Sequence, residues 1–537
     1  MGTSHSAQIS RRTFLATLGT GATMTVSSSF VPAKAFAPLR PRHFILREDR
    51  FGRIFPDLPP FFTSVTDELK AAMVEIGKPG GLLDAKDNLL AGPAELIVDP
   101  DLSENNPNNP THTAGTTFMG QFMDHDMTFD LSSRLGVPTE PGASANSRTP
   151  AFDLDSVYGA GPYGPDAVFF VAERERRGRA IKFKVESGGS FEDVPRDGNA
   201  TAIISDPRND ENLLISGLQV AFFKFHNNAV DFVERNEHEH DDDEIFRRAR
   251  RLTTWHYQWM IVHEFLPLFI GQDAFDDILR GGRKFYRPHV AQIPVEFQGA
   301  AYRFGHSMVR PSYRANLAGG NGQPFFGMIF DSAAEGQADP VDLRGGARAR
   351  RRFVGWQTFF NFGSSPRPSG TGTLGEDVKP NKRIDTKIST PLFNLPLGAI
   401  ASHQPPTALP QRNLLRQITW SLPASQNVAE TMGMDSLTPD HFDELKPFKL
   451  NLRASTPLWY YILKEAEVMA GGLHLGPVGG RIVGEVILGL LQLDRDSYLW
   501  SPGWRPTLPT TSQTPTGDFR MIDFLTFAGV DPTSRGQ

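Results

Sequence analysis

Helix-patterned segments alternate with long loops along this chain, and this alternation limits the folds that it can adopt. Helical patterns cover residues 114–130, 206 to about 234, 241 to about 270 and a segment starting at Pro294. Two more apolar helical patterns cover 457–469 and 479–491. No internal repeat and no convincing run of alternating strands is present. The pattern predicts a mainly α fold, a single large helical domain with long loops and little strand.

The loops between these segments are long and rich in glycine and arginine, above all between residues 319 and 382. Long loops in a compact domain usually carry function or surround a bound ligand. We therefore expect a protein that is organised around a cofactor.

Composition excludes several classes of function. With 537 residues, 39% of them hydrophobic, the chain can bury a large core, and its forty phenylalanines mainly fill that core. Its net charge of −6 does not predict binding to nucleic acid or to a membrane surface. Cysteine is absent, which excludes disulfides and thiolate chemistry. No run of about 20 apolar residues predicts a transmembrane helix.

The N-terminus resembles a twin-arginine export signal. The sequence SRRTFL from Ser10 opens a weakly apolar stretch to about Val31, and AKA at 33–35 offers a small-x-small cleavage site. The alternative is a disordered basic tail. We expect residues 1–37 to direct export to the periplasm or outside the cell, and residues 38–537 to form the catalytic domain.

The stretch GQFMDHD at 120–126 places three chemically active side chains on one helix face. Gln121, Asp124 and His125 stand at i, i+3 and i+4. An amide, a carboxylate and an imidazole together make a polar site in an otherwise apolar helix. A solvated face or a satisfied buried histidine is the alternative interpretation of this helix alone.

Two further motifs carry charged or imidazole groups. In DPRNDE at 206–211, Arg208 and Glu211 stand at i, i+3, a spacing that a surface ion pair would also explain. In YRFGH at 302–306, Arg303 and His306 share a face, and Gly305 lets a flat group approach the backbone. A lone helical histidine is more often structural than a ligand.

A fourth motif, TPAFDLDS at 149–156, supplies oxygen ligands at a spacing of two. Thr149, Asp153 and Asp155 alternate with positions that can offer carbonyl oxygens, a set that suits calcium. A turn stabilised by aspartate side chains would have the same composition.

Two other histidine motifs are weaker. His238 and His240 precede an acidic run that is typical of a solvated helix start, although the group could bind a metal. His263-Glu264 is similar to a zinc protease motif, but Pro267 occupies the place of the second histidine, so that interpretation fails.

Together the four motifs resemble the animal-type haem peroxidases of the peroxidase–cyclooxygenase superfamily, in particular their bacterial members. GQFxDHD, DxRxxE and YRFGH occur in the family's order, and their joint occurrence is highly specific. The resemblance extends from FGRIFP at 51–56 to GPVGGR at 476–481.

The resemblance implies a set of roles. His125 is the distal base with Gln121 as its hydrogen-bonded neighbour, Arg208 is the distal arginine, and His306 is the proximal iron ligand. The remaining implied roles are haem contact through Arg303, a hydrogen bond from the proximal imidazole to Asn413, ester links through Asp124 and Glu211, and calcium ligation by Asp126, Thr149, the Ala151 carbonyl, Asp153 and Asp155.

The implied cofactors are haem b, with the option of ester links, and calcium. The implied activity is oxidation of halides, thiocyanate or small phenols by hydrogen peroxide. Asn212 stands where myeloperoxidase has a haem-linking methionine, which puts chloride oxidation in doubt. The oligomeric state is left open.

Two other functions remain open. A fatty-acid dioxygenase of the same superfamily would place a radical tyrosine three residues before His306, where this chain has Arg303, and Tyr302 is one residue off. A non-catalytic exported haem- and calcium-binding adhesion protein would not need Gln121, His125 and Arg208 together.

Overall fold

The computed structural model describes residues 49–531 apart from 163, 165–169, 172–179, 188–190, 347–348, 364–377 and 449. The expected export signal at 1–37 lies outside the described residues, and its function stays a prediction. In the part of the chain that is described, no helix is both long enough and apolar enough to span a membrane.

Helices dominate the described residues, which confirms the predicted fold class. In chain order they are α1 Asp67–Ile76, α2 Glu95–Val98, α3 Gly115–Met127, α4 Asp155–Tyr158, α5 Leu213–Glu237, α6 Asp242–Met260, α7 Leu266–Ile270, α8 Gln272–Gly281, α9 Val295–Gly299, α10 Gly305–Met308, α11 Leu409–Thr419, α12 Ser425–Thr431, α13 Leu458–Ala470, α14 Pro477–Leu493 and α15 Met521–Phe527. A π-helical turn, Ile261–Phe265, joins α6 to α7.

The strands form short antiparallel pairs. They are β1 Asn108–Thr113, β2 Phe170–Val171, β3 Lys182–Phe183, β4 Glu186–Ser187, β5 Glu192–Asp193, β6 Ser312–Asn316, β7 Phe325–Met328 and β8 Pro380–Lys382. The pairs are β1 with β8, β2 with β3, β4 with β5 and β6 with β7. β1 and β8 are distant in sequence, with Asn109 opposite Asn381. Through this pairing β8, at the end of the long loop region, is held in contact with α3.

Aromatic packing orients α3, the helix that carries the GQFMDHD motif. Phe122 of α3 stacks on Phe222 of α5 with ring centroids 4.5 Å apart, and both rings are fully buried. Burial of one such side chain stabilises the fold by roughly 1.5–3 kcal/mol. Around the helix Gln121 is turned about 100° and His125 about 60° from Phe122, so this contact also sets the direction of both polar side chains.

The helix expected from residue 206 is interrupted. A 3₁₀ helix, Pro207–Asp210, comes first, and α5 begins only at Leu213. The Asn212 side chain accepts hydrogen bonds from the backbone N–H groups of Leu214 and Ile215, both at 3.1 Å, and so starts a new helix. This break gives Arg208 and Glu211 positions that a continuous helix would not.

The helix expected from Pro294 is also divided. Its parts are α9, a 3₁₀ helix Ala301–Phe304, and α10. Ala300, with φ −140° and ψ −69°, is not helical and separates the first two. His306 therefore lies in a short helical turn that follows a 3₁₀ turn.

Candidate active site

Three of the four motifs line one cavity. Its volume is about 1450 Å³, including the part that is open to solvent. The lining includes, from the sequence-predicted set, Gln121, Asp124, His125, Arg208, Glu211, Arg303 and His306. Residues that are up to about 180 positions apart in the chain therefore line the same cavity.

His125 is held in one tautomer by a buried amide. Asn209 Oδ1 lies 2.9 Å from His125 Nδ1, while Asn209 Nδ2 donates to Gln219 Oε1 at 2.7 Å. Since the amide nitrogen is engaged by Gln219, its oxygen accepts the Nδ1 proton of His125. Burial, assisted by the charge of Arg208, lowers the pKa of His125 to about 3. The imidazole is therefore neutral, with its lone pair on Nε2.

Gln121 has partners other than the one that the resemblance implied. Its Nε2 donates to Glu211 Oε1, and its Oε1 accepts from Asn212 Nδ2 at 3.3 Å. His125 Nε2 lies 3.6 Å from the same Glu211 Oε1. The Gln121 amide thus approaches the buried carboxyl group, and Glu211 stands between Gln121 and His125.

The two carboxyl groups that were expected to form ester links both face the cavity. Burial raises the pKa of Glu211 to about 8, so this group is mostly protonated at neutral pH. Burial also raises the pKa of Asp124, although Arg208 acts in the opposite direction. Both side chains are placed to contact a group that fills the cavity.

Arg208 is clamped by Asp206. Its Nε donates to Asp206 Oδ1 at 3.0 Å and its Nη2 to Asp206 Oδ2 at 2.7 Å. Nη2 also donates to the His125 carbonyl oxygen at 3.0 Å, and the guanidinium carbon lies 3.9 Å from the Phe129 ring centroid. A bidentate pair of this kind fixes direction as well as charge. Arg208 consequently has a defined place beside His125.

In the same cavity, His306 contacts Asn413. Asn413 Nδ2 lies 2.8 Å from His306 Nδ1, and Asn413 Oδ1 accepts from Arg303 Nη1 at 3.2 Å. Burial, with the charge of Arg303, lowers the pKa of His306 to about 3. The imidazole is neutral, as a metal ligand must be.

The orientation of the Asn413 amide differs from the expected one. The resemblance implies that its oxygen accepts the Nδ1 proton, whereas the nitrogen faces Nδ1 here. A half turn of the amide exchanges the two atoms. That turn would put the imidazole proton on Nδ1 and free the Nε2 lone pair for iron. It would also turn the amide nitrogen toward Arg303 Nη1, so Arg303 would give up its bond to Asn413.

The cavity fits a flat cofactor with carboxylate groups. Apart from the adjoining backbone, no atom of the described residues lies within 4 Å of the place where a Cβ on Gly305 would point, so the backbone beside His306 is open to a planar ring. Arg303, Arg412 and Arg416 line the same space. Burial and the nearby charge of Arg416 lower the pKa of Arg303 to about 10, which means that its positive charge is poorly stabilised here. The negatively charged propionates of haem would stabilise that charge.

Two of the carboxylates that were expected to bind calcium, Asp126 and Asp155, have hydrogen-bond or ion-pair partners within the protein. Asp126 accepts from the backbone N–H groups of Leu154 at 3.1 Å and Ser156 at 3.3 Å, while Asp155 pairs with Arg148 at 2.9 Å. Burial and mutual repulsion raise the pKa values of Asp126 and Asp153. Within the described ranges, no three His, Asp or Glu side chains converge as a group that could hold a metal.

Sequence reasoning missed two residues of the site and placed one differently. Asn209 directly follows Arg208 in DPRNDE, but only its contact with His125 reveals its role. Asp206 opens the same motif, and only its bonds to Arg208 reveal its role. Tyr302 lines the cavity, and its hydroxyl donates to the Gly120 carbonyl oxygen at 3.2 Å. The other histidine motifs stay outside, with His238 and His240 exposed at the start of α6.

Parts of this chain are similar to known proteins. Residues 132–325 match the family model for the animal haem peroxidase. The peroxidase mlt-7 of Caenorhabditis elegans is 26% identical over 284 residues, which make up 51% of this chain and 33% of that protein. The matched part thus spans a third of that relative's length.

Two solved structures share the fold. Peroxidase A of Dictyostelium discoideum has a TM-score of 0.56 at 17% identity, covering 84% of this chain and 88% of that one. A fatty acid alpha-dioxygenase of Arabidopsis thaliana has a TM-score of 0.53 at 14% identity, covering 91% and 76%. The chain is thus similar to the animal haem peroxidases over residues 132–325, and it shares the fold of these two solved structures.

Proposed function

We propose that this protein is a haem peroxidase that uses hydrogen peroxide to oxidise halides, thiocyanate or small phenols. The observation that carries the proposal is the pair of neutral imidazoles, His125 and His306, on one cavity, with Arg208 clamped beside His125. Haem is the cofactor that the family implies. Names of relatives such as the peroxidase mlt-7 support the same activity.

His125 is suited to move the proton of peroxide. Its Nε2 accepts a proton from one peroxide oxygen and returns it to the other, which leaves as water. Asn209 keeps the second ring proton on Nδ1 throughout. Haem, when bound, supplies the iron and the electrons that cleave the O–O bond.

Arg208 is suited to stabilise the negative charge that develops on the leaving oxygen. Because Asp206 already orients the guanidinium, little reorganisation is needed when that charge appears. His306 would hold the iron from the opposite side, and Asn413 would set its tautomer. Asp124 and Glu211 would form the ester links.

The choice of reductant follows from Asn212. Its side-chain oxygen caps α5, so this residue has a structural role and cannot supply the sulfur of a linking methionine. We therefore expect iodide, thiocyanate, bromide and phenols as reductants, and little oxidation of chloride.

A fatty-acid dioxygenase is the second candidate, and Tyr302 is the observation that favours it. Its phenol lines the cavity although it stands four residues before His306. Arg303, three residues before His306, cannot abstract hydrogen, which keeps the peroxidase proposal ahead.

One comparison separates these functions. The haem-loaded protein is assayed with peroxide plus each anion or guaiacol, and separately with oxygen plus linoleate. Peroxide-driven oxidation of iodide or guaiacol is the expected result. Oxygen uptake on linoleate without peroxide-driven oxidation of iodide or guaiacol would favour the dioxygenase. The absence of both activities in a haem-loaded sample would favour a non-catalytic haem protein.

Three accompanying proposals need separate tests. The proposal that calcium binds at Asp126 and the 149–155 loop would be contradicted if elemental analysis found no calcium in fully active protein. Ester links would be excluded if acid-acetone extracted all the haem after peroxide treatment. Cleavage of the export signal near Ala35 would be contradicted by Met1 on exported protein in a mass spectrum.

A further inference from the structure

A chain of buried ion pairs runs from the distal arginine to the loop that carries Asp155. We propose that Arg148 is a positioning residue for Arg208 and acts through Asp206. The inference rests on the proposed function, in which Arg208 stabilises negative charge in the cavity.

Arg148 contacts both the side chain and the backbone at the start of the 3₁₀ helix Pro207–Asp210. Its Nε donates to Asp206 Oδ2 at 2.8 Å, and its Nη2 donates to the Ser205 carbonyl oxygen at 2.9 Å. Asp206 Oδ2 also accepts from Arg208 Nη2 at 2.7 Å. One carboxylate oxygen is thus shared by the two arginines, and Arg148 limits how far Asp206 can rotate.

The other end of Arg148 reaches the expected calcium loop. Its Nη1 donates to Asp155 Oδ2 at 2.9 Å. Asp155 is the first residue of α4, so the loop and the 3₁₀ helix are tied to the same guanidinium. A displacement of the loop would therefore change the place of Asp206, and with it the direction of Arg208.

Burial makes this linkage stiff. The Asp206 side chain is fully buried, and that of Arg148 is 6% exposed. Burial would raise the pKa of Asp206, but Arg208 and Arg148 outweigh it and keep this pKa far below the usual carboxyl value. Removing one partner of a buried charge pair leaves the other uncompensated, so Asp206 and its remaining partner must rearrange.

The same 3₁₀ helix offers a matched control in Arg196. Arg196 Nη1 donates to Asp210 Oδ2 at 2.7 Å and Nε to Asp193 Oδ2 at 2.8 Å. Its side chain is 8% exposed, close to the value for Arg148. Arg196 thus anchors the far end of the helix by two buried ion pairs and does not contact Asp206.

The test measures fluoride binding to the ferric haem-loaded protein by its absorption spectrum, with haem content as a second readout. Because Arg208 would stabilise a bound anion, we expect Arg208→Gln to weaken fluoride binding more than any other variant in this test. We expect Arg148→Gln to weaken fluoride binding about fivefold or more at unchanged haem content. Arg196→Gln is expected to stay within about twofold of the parent protein, because it is not coupled to Arg208.

The outcomes are distinguishable. Parent-like fluoride affinity in Arg148→Gln, with a clear loss in Arg208→Gln, overturns the positioning role and leaves the proposed function intact. No loss in Arg208→Gln contradicts the role of Arg208 in the proposed function itself. Equal losses in Arg148→Gln and Arg196→Gln show a general packing effect and also overturn the inference.

If Arg148→Gln does not fold, fluoride binding is measured with Arg148→Lys instead. Lysine keeps the charge but cannot reach Asp206, Ser205 and Asp155 at once, so we expect fluoride binding to weaken about twofold or more. Parent-like affinity in Arg148→Lys overturns the inference.

Discussion

The two sides of the cavity are built by different means. On the His125 side, charged groups are packed closely together, with Arg208 clamped by Asp206 and two carboxyl groups facing the space. On the His306 side, the imidazole also has an amide partner, Asn413, but Arg303 bonds to uncharged oxygens of Asn413 and Gln298 and not to a carboxylate. The first arrangement suits proton transfer and developing charge. The second suits a neutral ligand held in a fixed direction.

The largest expected effect separates the two imidazoles. His306→Ala should lose haem or its normal spectrum, because the ligand atom is gone. His125→Ala should retain haem but react with peroxide about 10²- to 10⁴-fold more slowly, the usual contribution of a general base. Absorption spectra and stopped-flow mixing with peroxide measure both effects. Equal haem loss in the two variants would contradict the assignment of sides.

Asn413→Leu sharpens the description of the His306 side. It removes the only amide recorded against His306 Nδ1 in the described part of the chain, so we expect haem affinity to fall about 10- to 100-fold. Competition with apomyoglobin measures the affinity. Asn413→Asp is the control, since it keeps an acceptor for the Nδ1 proton, and it should retain more haem than Asn413→Leu. The reverse order would show that the amide donates to Nδ1.

Asn209→Ala makes the corresponding change on the His125 side. The loss of one hydrogen bond worth about 1 kcal/mol should slow the reaction with peroxide about five- to tenfold, because the ring tautomer is no longer fixed. Haem content should not change. Asn209→Asp keeps an acceptor toward Nδ1 and should restore much of the rate. A parent-like rate in Asn209→Ala would show that the tautomer is set by other contacts.

A further expected effect concerns the stability of the fold and a buried carboxyl group away from the cavity. Whereas Asp206 is paired with two arginines, Glu465 accepts from the backbone N–H groups of Val478 and Gly479 at 3.1 Å. Burial raises its pKa from 4.5 to about 7. The folded protein then binds a proton that the unfolded chain releases, so stability falls as pH rises from about 4.5 to 7.

Glu465→Gln should remove this dependence and keep an acceptor for the same N–H groups. We expect the variant to gain up to about 3 kcal/mol over the parent protein between pH 5 and pH 8, measured by denaturant unfolding. An equal pH dependence in both proteins would show that Glu465 is ionised in the folded state already at pH 5.

Much of the fold followed from local sequence. Asp241 caps α6 by accepting from the Glu244 N–H at 2.9 Å, and Gly271, with φ 79°, ends α7, both as the sequence predicts. The apolar patterns at 457–469 and 479–491 became α13 and α14. Capping and apolar periodicity act over a few residues, so they can be recognised without knowledge of the fold.

The sequence by itself also determined which residue types serve the site, because the four motifs name them in order. Only the tertiary structure decided how they meet. The 3₁₀ helix before Leu213 sets the place of Arg208, and Asn209 reaches His125 across 84 positions. Arg148 is linked to Asp206 across 58 positions. Such contacts depend on how helices pack in the interior, and the local periodicity of the sequence does not specify which distant side chains will meet.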